Sequence, residues 1–465
     1  MKKNDIIELK IDSITNLGFG VGRHGGIVVF VSGAVTGDII SARIIKVSPS
    51  YAVGRVEKFI EKSTIRENRR CDSASCQSCA YKCVSYDYEK DLKHSDVKSA
   101  FSKAGLSDVK IAELIPSPKT KEYRNKAQYP ISMDKNGGYV IGFYAPKSHR
   151  VTEARRCPLA PKAFSMILDR LADFFCRHGI TVYDEKSGNG LLRHVYLRRG
   201  EVSGEILLTL VINGASLPCE DELSKIITKE FPEVVGILIN ENTADTNVIL
   251  GEKFRVIFGR DYIYDTLCGV RLKISAPAFY QVNHDAAELL YKKAKELAKP
   301  TSEDVLLDLY CGAGSIGLSM ADSIGELIGI EIIDSAVFCA RENAMNNGIK
   351  NAKFYTGDAK DTEKLLENAE ADLGRRIAPT IVVLDPPRAG CDEKLIRYVA
   401  KLSPRRVVYI SCNPTTLARD CAIFKDLGYS CGEVTAVDLF PMTGHVESVV
   451  CLTRRLDNEL RERMN

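Results

Sequence analysis

Apolar positions between residues 305 and 452 fall into short runs, separated by longer stretches in which they recur every three or four residues. The runs at 305–309, 327–330, 353–355, 380–384 and 406–410 have strand length, and 430–438 and 446–452 follow. Helical patterning separates the first six runs, which predicts parallel strands joined by helical crossovers. Only the loop 439–444 separates the last two, so these pair antiparallel. A doubly wound α/β sheet of this kind takes ligands at the carboxyl ends of its parallel strands. A reversed strand begins at that same edge.

Upstream, the period changes. Residues 6–11 alternate, 18–26 are rich in glycine, and 27–31 form a continuous β-branched and aromatic run. Gly33 and Gly37-Asp38 punctuate before the runs 39–47 and 52–59. Short strands with glycine turns at this spacing predict a small closed β-barrel over residues 1–60. Residues 61–270 read as α+β, with a charged amphipathic helix over 87–104 and hairpin signals at Asn136-Gly137-Gly138 and Gly188-Asn189-Gly190. The doubly wound unit occupies 271–465.

The chain has 465 residues, 45% of them hydrophobic, which is enough for two or three cores. Its net charge is only +3, so a polyanionic partner must be met by local basic faces. Arg23, Arg43, Lys46 and Arg55 offer one on the barrel, and 119–126 and 150–156 offer others. No apolar run has the length of a signal-peptide core or a membrane span, so the expectation is a cytoplasmic protein without membrane contact. Nothing demands more than a monomer. Fifteen cysteines in a chain this long are too sparse for a disulfide framework. Four nevertheless crowd together: Cys71, Cys76, Cys79 and Cys83, with Cys157 further on. Three close thiols plus a remote one suit a cubane iron–sulfur cluster, and zinc is the alternative.

Chemistry concentrates at the predicted sheet edge. Gly312, Gly314 and Gly317 have the spacing of a nucleotide-binding turn, shared by dinucleotide and S-adenosylmethionine sites. Glu331 ends the next strand, where a carboxylate can accept ribose hydroxyls, and Asp358 ends the third, beside an adenine edge. Asp385-Pro386-Pro387-Arg388 ends the fourth strand and Ser411-Cys412-Asn413-Pro414 the fifth. Hydride transfer needs neither a carboxylate–proline corner nor a thiol. Most free cysteines are buried apolar residues, but a thiolate at a ligand-binding edge is a strong nucleophile. Glu447 opens the reversed strand at this edge and is the candidate base, with His445 as its competitor.

Taken in order, Phe279-Tyr280-Gln281-Val282-Asn283, 308–317, 385–390, 411–414 and 440–448 resemble the bacterial S-adenosylmethionine-dependent RNA uracil-5-methyltransferases. The resemblance covers nearly the whole chain. It implies a Rossmann-like class I methyltransferase domain, a TRAM barrel that binds RNA, and a central domain holding a 4Fe-4S cluster on Cys71, Cys76, Cys79 and Cys157. The first two of these cysteines stand one residue closer than is usual in the family, and Cys83 is additional. Cofactor contacts are implied at Gln281, Tyr310, Ser315, Glu331, Asp358 and Asp385; Ser315 replaces the usual asparagine. Cys412 is the implied nucleophile, Glu447 the base, and Asp385 touches cofactor and base. Arg388 stands where amino-methylating enzymes carry an aromatic residue and RNA cytosine-5 enzymes a cysteine, which favours uracil. Tyr123-Arg124-Asn125-Lys126 matches a family motif and is expected at the RNA backbone. The implied reaction is C5 methylation of a uridine flipped out of structured 23S ribosomal RNA. A transfer-RNA uridine methyltransferase and a catalytically idle RNA-binding assembly factor are the rivals.

Overall fold

The computed structural model describes residues 1–67, 71, 76, 78–146 and 148–455. Strands β1 (Ile6–Lys10), β2 (Ser13–Ile14), β3 (Phe19–His24), β4 (Ile27–Ser32), β5 (Ile39–Val47) and β6 (Tyr51–Glu61) form one sheet in the order β1-β5-β6-β4-β3-β2. Because β1 and β2 are nearly continuous, a single segment pairs with β5 at one end and β3 at the other, and the sheet closes into a barrel. Alternate residues such as Leu9, Val29, Val31, Ile40 and Ile44 fill its interior.

Helix α1 (Tyr86–Lys103) starts at Ser85, whose hydroxyl accepts from Tyr88 N at 3.3 Å. Its inward stripe is Glu89, Lys93, Val97 and Phe101, at the four-residue spacing of one helix face. Two of these four positions are charged, so the helix is amphipathic by partnership with groups elsewhere and not by its own composition.

The central segment supplies β7 (Lys126–Met133), β8 (Tyr139–Tyr144), β9 (Val151–Glu153), α2 (Lys162–Arg177), β10 (Leu192–Arg199), β11 (Ile206–Ile212), α3 (Glu220–Glu230), β12 (Val234–Glu241) and β13 (Lys253–Gly259). Its sheet runs β13-β12-β11-β10-β7-β8-β9, with α2 and α3 packed into the same core. A hairpin of β14 (Tyr262–Leu267) and β15 (Val270–Ser275) follows. Ile263, Leu267, Leu272 and Ile274 of the hairpin share a core with the third unit and with Tyr196, Leu207 and Leu238 of the central sheet.

After α4 (His284–Ala298) come β16 (Val305–Leu309), α5 (Ser315–Leu318), β17 (Glu326–Glu331), α6 (Asp334–Asn346), β18 (Ala352–Thr356), α7 (Thr362–Leu373), β19 (Ile381–Leu384), α8 (Glu393–Leu402), β20 (Arg406–Ser411), α9 (Pro414–Asp426), β21 (Tyr429–Cys431), β22 (Thr435–Val437) and β23 (Glu447–Arg454). The sheet order is β18-β17-β16-β19-β20-β23-β21, with β22 also on β23. The first five of these strands are parallel, and β23 is antiparallel to β20, β21 and β22. The single run expected over 430–438 is thus two short strands. Between and beyond them the backbone turns to a second partner: Ala112 N donates to the Val434 carbonyl at 2.8 Å, and Ile111 and Ile115 bridge to Val434 and Val437. No helix among the described residues is long and apolar enough to cross a membrane.

Candidate active site

The chain leaves β16 through Tyr310, whose φ of +65° is a left-handed conformation in a residue with a side chain. Gly314, at φ +82°, then starts α5. This turn opens the ligand edge. Glu331 is fixed there because its carboxylate accepts from Gly312 N at 3.1 Å and from Ile333 N at 2.9 Å. Asp308 is fully buried beneath the turn and accepts from Gly317 N at 3.0 Å through Oδ2, while its Oδ1 has no protein partner. Burial pushes its carboxyl up to about 8, against the Gly317 hydrogen bond, and the charges of Asp385 and Glu331 add to the rise. Three carboxyl groups around one glycine turn, one with an unmet oxygen, suit a cationic ligand such as a sulfonium.

The other expected cofactor residues are unequally placed. Asp358 accepts from Lys360 N at 3.0 Å and pairs with Lys360 Nζ at 2.8 Å, which holds it below the usual carboxylate range. It lies close enough to Tyr310 to act on that phenol, whose pKa is raised chiefly by burial. Ser315 Oγ stands 3.0 Å from Tyr291 Oη, so its hydroxyl is already engaged by α4. Gln281 is buried, and Asn125 Nδ2 donates to its carbonyl at 2.8 Å.

Asp385, Cys412 and Glu447 do come together. Ser411 pairs with Ser448 across β20 and β23, so the next positions in the same register are Cys412 and Glu447. The two groups are near enough that the Glu447 charge raises the Cys412 thiol. Glu447 is buried, and its carboxyl is pushed up to about 8 by burial and then by Asp385, against the pull of Arg388. Burial pushes Asp385 up to about 7. The Cys412 thiol is raised by burial and by Glu447, while the Arg388 guanidinium lowers it by charge and by a hydrogen bond. Asn413 positions this corner twice: it caps α9 through Thr415 N at 3.1 Å, and its Nδ2 donates to the Arg388 carbonyl at 3.0 Å. Arg388 Nη2 also lies 3.5 Å from His445 Nε2.

A second cluster lies beneath the loop that precedes β23. Cys71, Cys79 and Cys157 pack with Tyr123, Leu159 and Met442. Burial pushes the Cys79 thiol up to about 12, and Cys157, Cys76 and Cys71 each add to it, so all four sulfurs are neighbours. Cys83 is elsewhere, packed with Ile14, Val35, Tyr81 and Val84. One tetrahedral ion with metal–sulfur bonds of about 2.3 Å would draw its ligands to about 3.8 Å from one another. The four thiols are not that compact. Among the described residues, His178, Cys219 and Glu222 form the one set of three or more such side chains with every ligand atom within 4.8 Å of the others. That set joins the start of α3, at Cys219 and Glu222, to His178 at the end of α2. Cys71, Cys76, Cys79 and Cys157 are therefore not gathered as a single zinc ion would gather them.

Sequence reasoning missed how the Tyr123–Lys126 motif faces. Tyr123 and Asn125 are buried, the first donating to the Pro441 carbonyl at 2.9 Å and the second holding the Gln281 segment. Half of the motif expected at the RNA backbone is therefore internal scaffolding. The buried group of Lys93, Glu89 and Asp438 was also missed, because Asp438 stands 345 residues from Lys93 and nothing local marks it as the partner of the Glu89–Lys93 pair.

The profile of the tRNA (Uracil-5-)-methyltransferase family matches residues 85–455, and that of the TRAM domain matches 2–56. An uncharacterized RNA methyltransferase of Halalkalibacterium halodurans is 37% identical over 97% of this chain and 98% of its own length. One from Clostridium acetobutylicum is 38% identical over 98% of each. Among solved structures, a tRNA (uracil-54, C5)-methyltransferase of Pyrococcus abyssi, in complex with S-adenosyl-L-homocysteine, superposes with a TM-score of 0.77. The two are 26% identical, over 96% of this chain and 99% of that one.

Proposed function

The chain belongs to the tRNA (uracil-5-)-methyltransferase family and carries its TRAM domain, and from that premise we propose that it methylates C5 of a specific uridine in 23S ribosomal RNA. The observation that supports this best is that β20 and β23 end their pairing at Ser411 and Ser448, next to Cys412 and Glu447, and that Glu447 and Asp385 both act on the Cys412 thiol.

Uracil C5 is too poor a nucleophile to take a methyl group unaided. The Cys412 thiolate adds to C6, and the electron pair displaced from the C5–C6 bond enriches C5. Glu331, Asp385, Gln281 and Tyr310, with Ser315 and Asp358 at the margin, would hold S-adenosylmethionine, which would supply a methyl group to C5, its methyl–sulfur bond breaking to leave the neutral thioether. Glu447 then takes the proton from C5, the double bond reforms, and the C6–sulfur bond breaks to release Cys412. Asp385 disfavours a proton-free Glu447 and so strengthens it as a base once it is ionised. His445 is the poorer candidate because the permanently protonated Arg388 faces its Nε2. Arg388 favours the thiolate.

Cys71, Cys76, Cys79 and Cys157 would hold a 4Fe-4S cluster. The barrel joined to this nest puts ribosomal RNA first as target. Transfer RNA comes second, favoured by the likeness to the Pyrococcus abyssi enzyme, which spans nearly the whole chain, so the barrel alone does not separate the two. Mapping 5-methyluridine in 23S and transfer RNA from cells lacking the protein decides. Loss of one 23S position supports the proposal, loss at a transfer-RNA position moves the target, and no loss in either overturns it.

A further inference from the structure

Resting on the reading of Glu447 above, we propose that Tyr123 and Met442 are positioning residues. They tie the cysteine nest to the loop that carries the proton acceptor, so the placement of Glu447 depends on that nest being intact.

The loop 438–446 has no regular structure of its own, yet it leads directly into Glu447. It is held from three sides. From α1, the fully buried Lys93 donates to Glu89 at 2.8 Å, to Asp438 at 2.7 Å and to the Phe440 carbonyl at 3.1 Å, and Glu89 accepts from Met442 N at 2.6 Å. From the barrel, Asn16 presses so closely that a Cβ on Gly444 would lie 1.9 Å from its carbonyl oxygen. From the nest side, Tyr123 Oη donates to the Pro441 carbonyl at 2.9 Å, and Tyr81 N to the Met442 carbonyl at 2.9 Å.

Met442 is the point where these supports meet. Its backbone N–H and carbonyl are both bonded, its φ is +70°, and its side chain is fully buried. A residue with a side chain holds a left-handed conformation only where its surroundings impose it. The thioether and the Tyr123 ring pack with Leu159 against Cys71, Cys79 and Cys157. Four sulfurs bound to one centre make a rigid wall under these two residues, whereas four independent side chains do not. The Tyr123 segment reaches the opposite wall too, since Asn125 holds Gln281.

The test is hydrogen–deuterium exchange of the peptide spanning 438–447, with adduct chemistry as the second readout. In Tyr123→Phe, which keeps the ring and leaves the Pro441 carbonyl without its donor, exchange in this peptide should rise about tenfold. Turnover should fall by a similar factor, with a Cys412–uracil adduct accumulating on ordinary RNA. Adduct formation on 5-fluorouridine RNA should keep its rate, because it does not require the base. Cys79→Ser should give the same exchange signature, Met442→Ala likewise, and Met442→Leu should restore protection. Unchanged exchange in Tyr123→Phe, Met442→Ala and Cys79→Ser overturns the proposal. So does a loss of 5-fluorouridine trapping as large as the loss of turnover. If Glu447→Gln itself accumulates no adduct, the assignment of the base fails, and the exchange result stands apart from it.

Discussion

Ser411 and Ser448 face each other at the last paired position of β20 and β23, one residue short of Cys412 on one strand and of Glu447 on the other. Sequence separation between thiol and carboxylate is thereby reduced to neighbouring places on one sheet edge. The carboxylate lies in a site dry enough to raise its pKa to about 8. That pairing sets most of what can be tested.

Cys412→Ala should abolish methyl transfer, by a factor on the order of 10⁴ or more, as removal of an essential nucleophile does elsewhere. Denaturation-resistant trapping on 5-fluorouridine RNA should disappear with it. Retained trapping in this variant would assign the nucleophile to another residue.

Glu447→Gln keeps the thiol and should separate the steps. Turnover should drop about 10²–10⁴-fold, while a protein–RNA adduct builds up on unmodified substrate, visible as a shifted band on a denaturing gel.

pH should move activity and stability in opposite directions. Asp385 at about 7 and Glu447 at about 8 hold protons in the folded protein that the unfolded chain has already released. Their contribution to stability is therefore complete below about pH 4 and is lost as pH rises through 7 to 8. Ligand-free melting temperatures should fall between pH 5 and 8.5, and Glu447→Gln should flatten that slope and melt higher at pH 8 by a few degrees or so. Turnover should instead rise over the same range as the base ionises. S-adenosylmethionine, with its sulfonium, should flatten the melting slope more than S-adenosylhomocysteine does.

Arg388 lowers the Cys412 pKa against burial and Glu447. Arg388→Gln should slow iodoacetamide alkylation of Cys412 at pH 7, because the thiolate loses its neighbouring cation, followed on the peptide carrying that residue by mass spectrometry. Equal rates would mean that the guanidinium serves the RNA alone.

Protein purified without oxygen should be brown and contain about four irons per chain, the content of one cubane. Cys79→Ser should lose the colour and melt at lower temperature. Stoichiometric zinc without iron would refute the cluster.

For the barrel and for the sheet after residue 305, the sequence by itself determined the element types and their order, because strand and helix periods are local properties of ten or fifteen residues. The barrel, the parallel sheet and the reversed last strand are all legible that way, and the chemical residues stand in motifs at strand ends. What only the tertiary structure decided is anything that joins distant segments. The 430–438 run breaks in two because 111–115 claims part of its backbone. Tyr123 and Asn125 look like part of a basic RNA-facing turn, yet they are buried under partners from residues 441 and 281. Within the charged amphipathic helix expected over 87–104, Lys93 and Glu89 are the buried face, paired with Asp438 from the far end of the chain. A charge is tolerated inside a protein only where its counter-charge has been brought, and no local pattern reports who will bring it.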